Sequence, residues 1–223
     1  MLILKRVLVG FVVILVALLC VGFLLPRQVH VERSATIDAP VAAVFAEVND
    51  LRQWERWTPW SKDLDPTVEL TYGDPTAGKG AWYTWTSKKF GAGKLEIVDS
   101  QPGKSIEMLL MFEGSAGGPA KCGFTFVPSD GKTNVTWYFD ADMGVWPPGR
   151  YFGLFMDRLL GADFEKGLAK LKTISEQEAK KTPVIDIEAA FRKHNRWGPH
   201  ELEESALDEI QSAAQEASLG PWK

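Results

Sequence analysis

Residues 36 to 60 read TIDAPVAAVFAEVNDLRQWERWTPW, and their organisation decides the architecture. A strand ends at Ile37. Asp38 is in place to cap a helix, and Pro40 suits a first helical turn. Val41, Val44, Phe45 and Val48 then recur on one helical face. LRQWERW predicts a second short helix, stopped by Pro59. Trp54, Trp57 and Trp60 lie three residues apart, which makes Trp54 and Trp57 neighbours on one helical face. Three such large side chains on one segment are a stacking platform, a lid over a cavity, or core filler.

Upstream, VHVERSATIDAP alternates Val29, Val31, Arg33, Ala35 and Ile37, the pattern of a first strand. Downstream, six runs separated by turn residues predict six more strands: TVELTY, GAWYTWTS, GKLEIVDS, SIEMLLMFEG, AKCGFTFVP and TNVTWYFDADM. Their close succession implies an antiparallel meander. One face is apolar throughout. Tyr83 and Trp85 share it, as do Ile106, Met108, Leu110 and Phe112, then Cys122, Phe124 and Phe126, then Val135, Trp137 and Phe139. After WPPG the period becomes helical, and Phe152, Phe155, Met156, Leu159, Phe164, Leu168 and Leu171 fall near one stripe. Gly153, Gly161 and Gly167 disfavour this helix by ~1 kcal/mol each relative to Ala, which implies close packing or a kink. The fold class is therefore α+β: a sheet of about seven strands, two short helices after the first strand, and a long C-terminal helix.

The chain opens with MLILKRVLVGFVVILVALLCVGFLLPRQ, uncharged from Val7 to Leu25. About 20 apolar residues cross a ~30 Å hydrocarbon core. A cleaved signal peptide would have a shorter apolar run and a small-x-small site, which CVGFLLPRQ lacks. Leu19 stands before Cys20 where a lipoprotein site needs a small residue. Residues 1–28 are thus expected to be a single-pass transmembrane anchor. Lys5 and Arg6 tilt the positive-inside balance, against Arg27 and Arg33, toward a cytoplasmic N-terminus. For a bacterium that means the inner membrane, with the domain on the periplasmic side.

Composition narrows the function. The net charge of −4 and the absence of a basic stretch exclude ordinary nucleic-acid binding. Two cysteines, Cys20 and Cys122, give no disulfide framework. No metal-ligand spacing, phosphate loop or nucleophile elbow occurs, so no metal, no cofactor and no catalytic residue is expected. No histidine falls between residues 31 and 193. Asp99, Asp140, Asp142, Asp163 and Glu165 are acids by type alone. Cys122 points inward among phenylalanines, the setting of an inert thiol. Residues 179–223 form an acidic, helix-like tail: from Val184 onward there are eight acidic and four basic residues. It could dock on the domain or on a protein partner, or stay loosely ordered.

The stretches TIDAPVAAVFAEVNDLRQWERWTPW, GKGAWYTWTS and FGLFMDRLLGADFEKGLAKLK resemble the SRPBCC superfamily of START-type lipid carriers and polyketide cyclases. The best match is its bacterial branch for polyketide cyclase/dehydrase and lipid transport. The likeness covers about residues 29–175, within an expected domain of 29–178. It implies a helix-grip fold, in which a curved sheet wraps the long helix around an elongated apolar cavity. It places Trp54, Trp57 and Trp60 at the cavity mouth. The wall would be Tyr83, Trp85, Met108, Leu110, Phe112, Phe124, Phe126, Trp137 and Phe139 from the sheet, with Phe152, Phe155, Met156 and Leu159 from the helix. The partner would be a small apolar ligand or lipid, reached from a membrane-held carrier or sensor. Two other functions fit the same residues: an enzyme of the polyketide cyclase type, and a scaffold presenting its tail.

Overall fold

The computed structural model describes residues 2–114 and 118–181. The chain divides into two compact units, residues 1–182 and 183–223. The second, with the acidic tail and its expected helices, lies outside the described residues.

Helix α1 (Leu2–Leu24) precedes strand β1 (Gln28–Ile37). Helix α2 (Val41–Asn49) runs through a 3₁₀ turn (Leu51–Gln53) into α3 (Trp54–Trp57). Strands β2 (Glu69–Tyr72), β3 (Trp82–Ser87), β4 (Gly91–Gln101), β5 (Ser105–Phe112), β6 (Ala120–Ser129) and β7 (Lys132–Asp142) follow. Helices α4 (Pro147–Gly153) and α5 (Met156–Lys181) come last. The seven strands form one antiparallel sheet in the order β1-β7-β6-β5-β4-β3-β2. The alternation read from the sequence sets its two faces: Ile106, Met108, Cys122, Phe124, Phe126, Val135, Trp137 and Phe139 are all buried. The curved sheet wraps α5, and α2 and α3 close one end. This is the helix-grip arrangement.

Two local expectations need correction. Asp38 does not cap α2. Pro40 holds the cap position with no side-chain cap, and the Asp38 backbone N–H instead donates to Glu176 Oε1 at 2.9 Å. The C-terminal helix is two helices. Leu154 N–H bonds back to the Tyr151 carbonyl and Phe155 N–H to the Phe152 carbonyl, a tightened i→i−3 pattern that ends α4 and redirects the chain. Helix α5 runs on to Lys181.

Gly167 shows why α5 tolerates poor helix formers. A Cβ there would lie 2.7 Å from Trp137 Cζ3 and 3.2 Å from Pro59 Cδ. The helix axis approaches the sheet closely at this point because no side chain intervenes. Trp137 uses that approach to stack on Phe164.

Candidate functional site

Helix α5 packs chiefly against β1. The other half of the curved sheet stands clear of it and leaves a partly open cavity of about 300 Å³. That lies at the small end of ligand-pocket sizes. Leu70, Tyr72, Tyr83, Trp85, Leu95, Leu110 and Phe112 of β2–β5 form one wall. Cys122, Trp137 and Phe139 of β6 and β7 form the floor, and Met156, Leu160 and Phe164 of α5 the opposite wall. Leu51, Trp54, Glu55, Thr58, Trp60, Val68 and Phe90 complete the rim.

The rings cannot collapse into this space because each is braced. Trp54 Nε1 donates to the Val48 carbonyl at 2.8 Å. Tyr83 stands between Tyr72 and Trp85, with ring centroids 5.9 and 6.1 Å away. Trp85 meets Phe112 edge-on at 5.6 Å. Such tilted contacts are favourable geometries for aromatic pairs, so leaving them to fill the void would forfeit them.

Polar groups in the wall are few. At the rim, Tyr72 Oη donates to Glu55 Oε1 at 2.9 Å. Burial, then this carboxylate, push the Tyr72 phenol above its usual range. Deeper inside, burial and then the neighbouring Cys122 push the Tyr83 phenol up as well. Burial pushes the Cys122 thiol up to about 12. Both groups are therefore protonated at neutral pH. Among the described residues the Tyr83 hydroxyl makes no hydrogen bond, so a donor and acceptor remains free at the cavity wall. No group of three or more His, Cys, Asp or Glu side chains able to hold a metal occurs among the described residues.

Of the side chains expected at the cavity, the structure brings together Trp54, Trp60, Tyr83, Trp85, Leu110, Phe112, Trp137, Phe139 and Met156. The others are elsewhere. Trp57 is fully buried behind the wall, its Nε1 donating to the Glu47 carbonyl at 3.2 Å. Met108, Phe124 and Phe126 lie in the close-packed core. Phe152, Phe155 and Leu159 are more than half exposed: the break between α4 and α5 turns the two phenylalanines away from the sheet, and Leu159 falls on the outer side of α5. Cys122, expected to be packing, proves to border the cavity. Leu51, Glu55, Thr58, Val68, Leu70, Tyr72, Phe90, Leu95, Leu160 and Phe164 join the lining unforeseen. The alternation Val68, Leu70, Tyr72 would have found three of them.

A curved antiparallel sheet gripping a helix around an apolar cavity defines a class of helix-grip proteins. Residues 28–176 match the family described as polyketide cyclase / dehydrase and lipid transport, and the chain belongs to that family. It is 32% identical over 84 residues to the ribosome association toxin RatA of Pseudomonas aeruginosa. That match covers 36% of this chain and 53% of that protein, so the chain spans about half the length of this relative. Two solved structures share the fold. A Thermobifida fusca protein solved by NMR superposes with a TM-score of 0.52 at 17% identity, covering 66% of this chain and 93% of that one. The di-domain ARO/CYC StfQ from the steffimycin biosynthetic pathway gives 0.53 at 14% identity, covering 69% of this chain and 52% of that one.

Proposed function

We propose that this protein is a membrane-tethered carrier or sensor of a small hydrophobic molecule, such as a lipid, that bears one hydrogen-bonding group. The observation that carries this reading is the apolar cavity of about 300 Å³ with Tyr83 on its wall, whose hydroxyl has no hydrogen-bond partner among the described residues. Apolar pockets with a few placed polar groups are the usual form of small-molecule sites. The tether is α1, whose residues Ile3–Leu24 are long and apolar enough to cross a membrane. The slight excess of positive charge at Lys5 and Arg6 supports a bacterial inner-membrane protein with its domain in the periplasm.

Tyr83 also favours a second reading, an enzyme of the cyclase type. A buried, protonated phenol beside a substrate carbonyl is a hydrogen-bond donor and a general acid. Cys122 does not add a nucleophile, since the thiolate is the reactive form and burial suppresses it. Binding alone requires no further group, so the carrier or sensor reading is preferred.

Titration of the full-length protein in nanodiscs with dansylated fatty acid tests this. Energy transfer from the cavity tryptophans that saturates, and that unlabelled apolar competitors reverse, supports the proposal. No saturable transfer with any of a broad set of apolar probes contradicts it.

A further inference from the structure

Helix α1 does not merely precede the domain; α4 grips its last two turns. Arg150 Nη1 donates to the Phe23 carbonyl at 2.7 Å and the Leu25 carbonyl at 3.2 Å. These belong to the carbonyls that a helix end leaves without partners, and a cation is favoured there. The guanidinium also lies over the Phe23 ring, 5.8 Å from its centroid. Tyr151 Oη donates to the Leu18 carbonyl at 2.7 Å. Gly22 makes the approach possible: a Cβ there would lie 2.5 Å from Pro147 Cβ and 2.8 Å from Tyr151 Cε2.

Beside this grip the domain exposes large apolar side chains. Trp146, Phe152, Leu154, Phe155 and Leu159 are each more than half exposed. Phe155 immediately precedes α5 and Leu159 stands on its first turn, and the inner side of that helix carries the cavity residues Met156 and Leu160. Arg158 is exposed among them. Asp157 is engaged by Arg33 at 2.8 Å and Asp142 by Arg27 at 2.6 Å.

We infer that the α4–α5 corner is a membrane-docking surface for bilayer lipid, held at the interface by its grip on the end of α1. The inference rests on the proposed insertion of α1. With 1.5 Å rise per residue, the Gly22 level that contacts Pro147 lies ~3 Å inside the helix end at Leu24. Helix α4 therefore sits where hydrocarbon gives way to headgroups. Aromatic residues favour that zone, an apolar face immersed there is stabilised by the area it buries, and Arg158 meets headgroup phosphate. Docking presses one wall of the cavity against the bilayer, a short path for an apolar ligand.

Spin labels test this in the full chain, carrying Cys20→Ala, in phosphatidylcholine–phosphatidylglycerol vesicles. Labels go on Trp146→Cys, Phe155→Cys, Asn134→Cys on the far hairpin, and Val13→Cys within α1. Labels at 146 and 155 are expected to meet dissolved oxygen more than a water-soluble nickel chelate, and the label at 134 the reverse. Water-like values at 146 and 155 with a deep Val13→Cys label overturn docking and leave the tether standing. A Val13→Cys label in water overturns both. Labels shielded from both agents, through cover by residues 183–223, or dipolar broadening from a second copy, also overturn it. Gly22→Val with Arg150→Ala is expected to move the labels at 146 and 155 toward water while Val13→Cys stays deep. Unchanged labels would refute the grip.

Discussion

Trp137 of β7 and Phe164 of α5 lie face to face, their centroids 4.1 Å apart and their planes 5° from parallel. Both rings border the cavity, so one contact joins sheet to helix and also limits the empty space. Phe164→Ala should destabilise the domain by about 3–5 kcal/mol, the usual loss for a buried phenylalanine. The midpoint of urea unfolding followed by tryptophan fluorescence checks it. A loss under 1 kcal/mol would mean the stack is not what fixes the helix.

Tyr83→Phe removes a hydroxyl with no described partner. Stability should therefore hardly change, while affinity for a probe carrying a hydroxyl or carbonyl should fall by roughly the worth of one hydrogen bond, about 0.5–1.5 kcal/mol. Binding of a pure hydrocarbon should be untouched. Parallel titrations of the two probe types separate this from a general loss of packing.

The tryptophans of the 36–60 stretch should divide by role. Trp54 is buried and braced through its Nε1 to Val48, so Trp54→Phe strands a buried carbonyl and should reduce stability by about 1–3 kcal/mol. Trp60 is half-buried and touches Trp137 and Phe164 edge-on at 5.7 and 6.2 Å. Trp60→Ala should weaken probe binding more than it weakens the fold. Thermal melts beside probe titrations measure the two effects.

Asp65 ties the rim together. It accepts from Thr67 N–H at 2.9 Å, Thr67 Oγ1 at 2.7 Å, Lys89 N–H at 3.1 Å and the Ser87 hydroxyl. The hydrogen bonds from Ser87, then Thr67, hold its carboxyl well below the usual range. A depressed folded-state pKa means stability that is present above the unfolded value, ~3.9, and lost as pH falls through the folded one. Asp65→Asn should thus be less stable than wild type at pH 7, with a deficit that shrinks below about pH 4. A deficit unchanged across that window would show that charge is not the cause.

The fold was legible because each strand from Ile106 to Phe139 keeps strict alternation where one face is buried. The cavity was legible only in part, since alternation tells which face is inward and not whether inward side chains meet. Phe124 and Phe126 share the parity of Cys122, yet only Cys122 reaches the void. On the helix the apolar run passes without a gap through the α4–α5 break, so Phe152 and Phe155 looked continuous with Met156. At ~100° per residue, Leu160 lies near the centre of the Met156–Phe164–Leu171 stripe and Leu159 about 105° from it; a stricter wheel would have chosen Leu160. Nothing local in the sequence announced the bonds from Arg150 and Tyr151 to α1, which span over 120 residues.

An apolar molecule that occupies the cavity can be recovered from the purified protein. Full-length protein and the cavity-filling variant Leu110→Trp would be purified in nanodiscs, denatured in organic solvent, and the extracts compared by mass spectrometry with those of empty discs. An apolar compound near one per chain is expected from the wild type, and its loss from Leu110→Trp. Extracts of wild type that match empty discs, or that match the filled variant, would contradict it.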